Sequence, residues 1–350
     1  VIRMRITRRN AAQRAEGRRR TPRTRVLAGA AAVLAAGSLT LTGCGLQSAA
    51  AYVPDPGQGS LAKIDGAADT TVTVTSKNFT EQQIMGKIAV LTAKAAGFKV
   101  EDMTNVPGSQ PARDLIASGR ADVLFDYTGT AWLTYLGHET GYPDQKKQWQ
   151  VVHDADLKNG ITWGKPAPLD NTYAFAIRAA DQKKLGGITK LSQIKDLPVK
   201  DRTFCVESEF NSRQDGFAPM LKRYGITLGA SDGVPKSNVS VLDTGAVYEA
   251  TAQGTCSFGE VFTTDGRIKS LNLTVLDDDK KFFPSYNVAP LFRTELLQRY
   301  PQLQDDFAQV SAKMTNDVFI ELNRKVDVDG QDPGDVAYDW MVKEGFISEN

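Results

Sequence analysis

Residues equipped for chemistry are few in this 350-residue chain, and those of the common enzyme sites are missing. No Gly-x-Ser-x-Gly elbow, no phosphate-cradling P-loop and no His-Glu-x-x-His pair occurs, so hydrolytic, nucleotide and zinc-peptidase chemistries lack their parts. The two histidines, His138 and His153, lie in a polar stretch without close Cys/His spacing, which leaves no ligand set for a transition metal. Asp327-Val-Asp329-Gly330 places two carboxylates two residues apart, but the residues beyond Gly330 do not complete a calcium loop. Rings, hydroxyls and cations do gather in four segments: Ser76-Lys-Asn-Phe-Thr-Glu-Gln82, Asp126-Tyr-Thr-Gly-Thr130, Phe262-Thr-Thr-Asp-Gly266 and Phe282-Phe-Pro-Ser-Tyr-Asn-Val-Ala-Pro290. Their chemistry is that of binding, since ring faces attract cations and Lys, Arg or hydroxyl donors hold carboxylates.

These segments fall at the ends of predicted strands or at junctions between two groups of elements. Thr70-Thr-Val-Thr-Val-Thr75 alternates with period two and is broken by Ser76-Lys77-Asn78, which predicts a strand. From Thr80 to Ala96 the residues Ile84, Ile88, Val90 and Leu91 recur at helical spacing, with Thr80 as a hydroxyl cap. Phe98 to Val106 reads as a strand, Gln110 to Ser118 as a helix and Ala121 to Phe125 as a third strand, predicting a largely parallel sheet with helices on both faces. A second alternation runs from Tyr173-Ala-Phe-Ala-Ile177 through Leu191-Ser-Gln-Ile194 and Thr203-Phe-Cys-Val206. It continues in a helix at Gly216 to Tyr224 and a strand at Val239 to Leu242, and closes at Phe258-Gly-Glu-Val-Phe262. Beyond Phe292, apolar residues at three- and four-residue steps predict helices that pack back on the first group. The fold class is therefore α/β with two lobes: 71–169 plus 285–350 form lobe I, 170–284 form lobe II, the chain crosses between them twice, and a ligand cleft lies between.

Residues 1–43 hold ten arginines and one acid, Glu16, and the rest of the chain carries 32 basic against 40 acidic residues. An acidic folded part argues against nucleic acid as a partner. The basic start, the short apolar run from Val26 to Leu41 and the small residues after it read as a secretory signal peptide. Leu41-Thr-Gly-Cys44 resembles a bacterial lipobox, which implies lipidation of Cys44 and a lipid-anchored, extracytoplasmic location. Residues 44–70, rich in Gly, Ala, Ser, Pro and Asp, read as a flexible tether. In an oxidising compartment the remaining pair, Cys205 and Cys256, reads as a disulfide, with two buried free thiols as the alternative.

In the order and spacing of the four segments, residues 72–346 resemble the substrate-binding proteins of osmoprotectant ABC importers, which take up glycine betaine, proline betaine, carnitine or choline. The resemblance implies a periplasmic-binding-protein-like fold, no enzyme activity, no cofactor, a monomer, and a permease with its ATPase as partners. It places cage rings at Tyr127, Tyr173, Phe262 and Tyr286, with tyrosine usual in relatives where Phe262 stands here. It puts Lys77, Thr130 and Arg213 around the ligand carboxylate, and Asn171 near Tyr173 on the lobe II side. The physics fits: a quaternary ammonium has no N–H to donate, and rings within about 6 Å each contribute about 0.5–2 kcal/mol when desolvated. Plainer readings stand beside each residue. The rings could be core, Lys77 a loop lysine, and Arg213 the partner of Glu207, Glu209 or Asp215 in a surface ion pair. Competing functions are a binding protein for choline or another cation, a ligand sensor with no import role, and an enzyme acting on such ligands.

Overall fold

The computed structural model describes residues 53–350, so the signal peptide, Cys44 and the first part of the tether lie outside the described residues. Strand β1 (Gly57–Gln58) opens the described chain. It is followed by β2 (Thr71–Lys77), helix α1 (Thr80–Ala95), β3 (Lys99–Val106), helix α2 (Ser109–Ala117), β4 (Val123–Tyr127) and β5 (Ile161–Trp163). After the first crossing come β6 (Tyr173–Arg178), β7 (Phe204–Glu207), β8 (Val239–Leu242), β9 (Phe258–Phe262) and β10 (Leu273–Val275). The chain then returns through β11 (Val288–Arg293) and ends in helices and β12 (Ile347–Ser348).

Two five-stranded sheets result, ordered β3-β2-β4-β11-β5 and β10-β6-β9-β7-β8. Each carries one reversed strand. β11 pairs antiparallel with β4 and β5, and β6 pairs antiparallel with β9 and β10. These are the strands by which the chain enters each sheet after a crossing, and neither has a crossover helix to impose the parallel direction. In the first sheet Val72 and Val74 turn toward helix α1, which buries Ile84, Met85, Ile88 and Leu91 against them. The second sheet centres on Phe175, Phe204, Phe217 and Phe258, whose rings pack pairwise at 5.0–6.1 Å.

Two expectations need correction. Thr80 is the first residue of α1 rather than its cap: Phe79 holds the cap position, and the Thr80 hydroxyl donates to Asp327 at 2.6 Å. Leu191–Asp196, to which the second alternation assigns no element type, is a short 3-10 helix whose Leu191 and Ile194, three apart, both point into the lobe II core. Residues 53–70, expected to belong to a flexible tether, pack against lobe I. Leu61 and Ala67 are fully buried, and β1 pairs with β12. The apolar side chains scattered through that Gly-rich stretch suffice to dock it.

Cys205, on β7, and Cys256, just ahead of β9, are joined by a disulfide with their Cα atoms 5.7 Å apart. The bridge packs against Val247 of the helix Thr244–Ala252 on one face of the second sheet, and neither cysteine lines the cavity between the lobes.

Candidate functional site

The C-terminal ends of β2 and β4 and the loops after them supply one wall of a cavity of about 560 Å³, and lobe II supplies the other. Lys77 ends β2, Tyr127 ends β4, and Thr130 lies in the turn beyond it. Tyr173 and Phe262 face each other across the β6–β9 register, one at the start of its strand and one at the end. Asn171 lies in the first crossing, Tyr286 in the second, and Arg213 just after the short helix Ser208–Ser212. All eight residues singled out in the sequence line this one cavity. Gly129 is required where it stands, because a Cβ there would lie 2.7 Å from the Tyr286 ring and from the Ser285 carbonyl oxygen. The missing side chain lets Tyr286 press against the Tyr127–Thr130 turn.

The rings form a connected set. Tyr173 lies 5.4 Å from Phe262 and 5.6 Å, edge to face, from Tyr286. A fifth ring, Phe79, closes the set at 5.1 Å from Phe262 and 6.1 Å from Tyr127. Sequence reasoning misses Phe79 although it stands inside the Ser76–Gln82 segment, because an apolar residue just ahead of a helix reads as a staple to the core.

The polar groups are less free than the sequence suggests. Lys77 Nζ lies 2.6 Å from Asp126, both side chains being buried, and 5.0 Å from the centre of the Tyr127 ring. Arg213 is not in a surface ion pair but a buried one. It donates through Nε and Nη2 to both Asp215 oxygens at 2.7 and 2.6 Å, and through Nη1 to Glu209 at 3.1 Å. It also lies 5.4 Å from the Tyr173 ring centre, with Nη2 3.4 Å from the Thr130 hydroxyl. Burial works against the Asp215 carboxylate, but Arg213 and the Tyr286 hydroxyl, which donates at 2.6 Å, hold its pKa below the usual range. Glu209 is drawn the same way: burial opposes ionisation, and Lys77, Arg213 and the Ser109 N–H overcome it. Since Glu209 belongs to lobe II and Ser109 to lobe I, that bond spans the cleft.

Beneath the site, burial pushes Glu260 on β9 up to about 8, opposed by one hydrogen bond from the Glu207 N–H. The folded state therefore keeps a proton there that the unfolded chain loses near its ordinary value of 4.5. Stability from this group falls as pH rises from about 4.5 to about 8 and is flat above. The expected result for Glu260→Gln is a melting temperature several degrees above wild type at pH 9 and no advantage at pH 4.5, read by thermal unfolding across that range. A constant offset at all pH values would show that Glu260 does not carry the proton.

Residues 70–343 match the family model OpuAC, the substrate binding domain of ABC-type glycine betaine transport systems. A glycine-betaine-binding protein of Pseudomonas aeruginosa is 32% identical over 286 residues, covering 80% of this chain and 89% of that protein. The carnitine transport binding protein OpuCC of Listeria monocytogenes is 26% identical, covering 82% and 91%. Among solved structures, a glycine betaine/carnitine/choline ABC transporter structure superposes with a TM-score of 0.63 at 26% identity, over 79% of this chain and 99% of that one. Apo YehZ from Escherichia coli gives 0.58 at 26% identity, over the same 79% and 99%.

Proposed function

Since the chain belongs to the family of substrate-binding domains of ABC-type glycine betaine transport systems, we propose that it captures glycine betaine or a close quaternary-ammonium relative outside the cytoplasm and hands it to a permease driven by an ATPase. The observation that carries this reading is the convergence of Phe79, Tyr127, Tyr173, Phe262 and Tyr286 on one cavity. Rings from both lobes enclose the methylated nitrogen, so closure adds contacts that the open protein lacks. A ligand bound more tightly in the closed state shifts the lobes toward closure. Lys77, Thr130 and Arg213 receive the carboxylate, Lys77 and Arg213 lying 5.0 and 5.4 Å from the Tyr127 and Tyr173 ring centres. In this reading Cys44 carries the lipid that holds the protein at the membrane, 71–169 with 285–350 make lobe I, and 170–284 make lobe II. Phe262 keeps a ring face without a hydroxyl, which favours the methylated end of the ligand over hydrogen-bonding head groups.

One observation favours a second reading, a ligand with no carboxylate such as choline: Lys77 and Arg213 already have carboxylate partners of their own. Titration calorimetry with glycine betaine and choline separates the two, using Thr130→Val to remove a hydroxyl while keeping the shape. For the betaine reading the variant loses about ten- to a hundredfold affinity for glycine betaine, the worth of a hydrogen bond to a charged carboxylate, and none for choline. Equal affinity for both ligands, unchanged by Thr130→Val, would establish the second reading in its place.

A further inference from the structure

Behind the Tyr127 ring lies a carboxylate with no cationic partner. Glu81, in the first turn of α1, is 2% exposed and accepts hydrogen bonds from the Tyr127 hydroxyl at 2.7 Å, Asn171 Nδ2 at 2.9 Å, Asn323 Nδ2 at 3.2 Å and the Thr264 hydroxyl. The two amides are oriented independently of it. Asn171 Oδ1 accepts from the Thr264 N–H, and Asn323 Nδ2 also donates to the Thr264 carbonyl, so both present N–H to Glu81. Among the described residues the other carboxylates touching the site's rings or cations are matched: Asp126 by Lys77, Asp215 and Glu209 by Arg213. Glu81 forms no ion pair with any described residue. A second space, large enough for one water, is lined by Glu81 together with Phe79, Asn171 and Phe262, which also line the binding cavity. One layer of side chains therefore separates Glu81 from the binding cavity.

Resting on the binding function above, we propose that Glu81 is a positioning residue that selects for positive charge, acting through the Tyr127 hydroxyl and across the ring to favour a cation over a neutral molecule of the same shape. A phenol that donates to a carboxylate becomes richer in electrons, because linked hydrogen bonds polarise one another, and a richer ring attracts a cation more strongly. The charge of Glu81 also acts directly through a medium of low polarisability, where Coulomb attraction persists over a ring's width. Burial outweighs its four donors and raises the Glu81 pKa above the ordinary carboxylate value. A cation in the cage works with the donors, and a neutral ligand does not. Glu81 further joins α1, β4, the first crossing, the loop after β9 and the helix Asn316–Asp327, so it fixes Tyr127 and Asn171 relative to both lobes.

The test compares choline with its tert-butyl isostere, in which carbon replaces nitrogen, by titration calorimetry on wild type, Glu81→Gln and Tyr127→Phe. Wild type should prefer the cation. In Glu81→Gln that preference should fall about tenfold, mostly through weaker choline binding, with binding of the isostere nearly unchanged. Tyr127→Phe, which keeps the ring and Glu81 but cuts the link, should lose part of the preference. It decides the question alone if Glu81→Gln does not fold. Equal losses for cation and isostere, or a preference untouched in both variants, would reduce Glu81 to a structural tie and overturn the inference while leaving the binding function intact. Failure of wild type to bind either choline or glycine betaine would overturn the binding function, and this inference with it.

Discussion

Tyr127→Leu should weaken quaternary-ammonium binding by about 30- to 100-fold. The ring is 4% exposed, stands 6.1 Å from Phe79, and forms part of the lobe I face of the cavity. Leucine fills a similar volume, so what goes is the ring's negative face, with about 2 kcal/mol of attraction for a desolvated cation. The hydroxyl goes as well, leaving Glu81 with one donor fewer beside the site. Tyr127→Phe restores the face but not the hydroxyl, and its loss should be only three- to tenfold. Calorimetric titration of both variants with glycine betaine checks the ordering. If leucine and phenylalanine cost the same, the ring does not touch the ligand and only the hydroxyl network counts. Thermal unfolding without ligand guards against a general loss of structure. Both variants should melt within a few degrees of each other, since each strips the same donor from Glu81.

The four rings are assigned by the resemblance of their segments to a known family, since a ring after a strand read by itself is as readily a core residue; the structure brings all four to one cavity. The strands were legible from their own residues: Val239–Leu242 and Phe258–Phe262 are strands where the second alternation places them. Strand direction was not, because period two is identical in parallel and antiparallel pairs, so the reversal of β6 and β11 left no local mark. Least legible were the carboxylates. Glu81 looks like an acidic residue favoured in a helix's first turn, and Asp126 and Asp215 look like solvated loop residues. Each is buried, and burial is made tolerable for Glu81 and Asp126 by partners distant in sequence, Asn323 and Lys77, and for Asp215 by Arg213 two residues away together with the distant Tyr286. Such pairings depend on tertiary contacts that no local pattern records.

Those pairings also govern whether the site's cations are available, and Asp126 offers the sharpest test. Its side chain has no exposure, and one oxygen accepts from Lys77 at 2.6 Å and from the Tyr127 N–H at 2.7 Å. The other oxygen accepts from the Tyr135 hydroxyl at 2.9 Å. Removing one member of a buried ion pair strands the other charge, which costs about 3–5 kcal/mol. Asp126→Ala should therefore lower the melting temperature by about 6–15 °C in a domain of this size. Asp126→Asn keeps the shape and some of the hydrogen bonds, and should fall between it and wild type. The double variant Lys77→Met/Asp126→Asn leaves no charge stranded and should recover much of what Asp126→Asn loses, a coupling that the double-mutant cycle reads directly. If Asp126→Asn melts with wild type and binds glycine betaine as well, Lys77 is not held by Asp126 and is free to turn its full charge on the ligand. If instead stability falls while the double variant recovers it, Lys77 is committed to the protein. A ligand carboxylate would then depend on Arg213 and Thr130, and a carboxylate-free cation would lose nothing by the change.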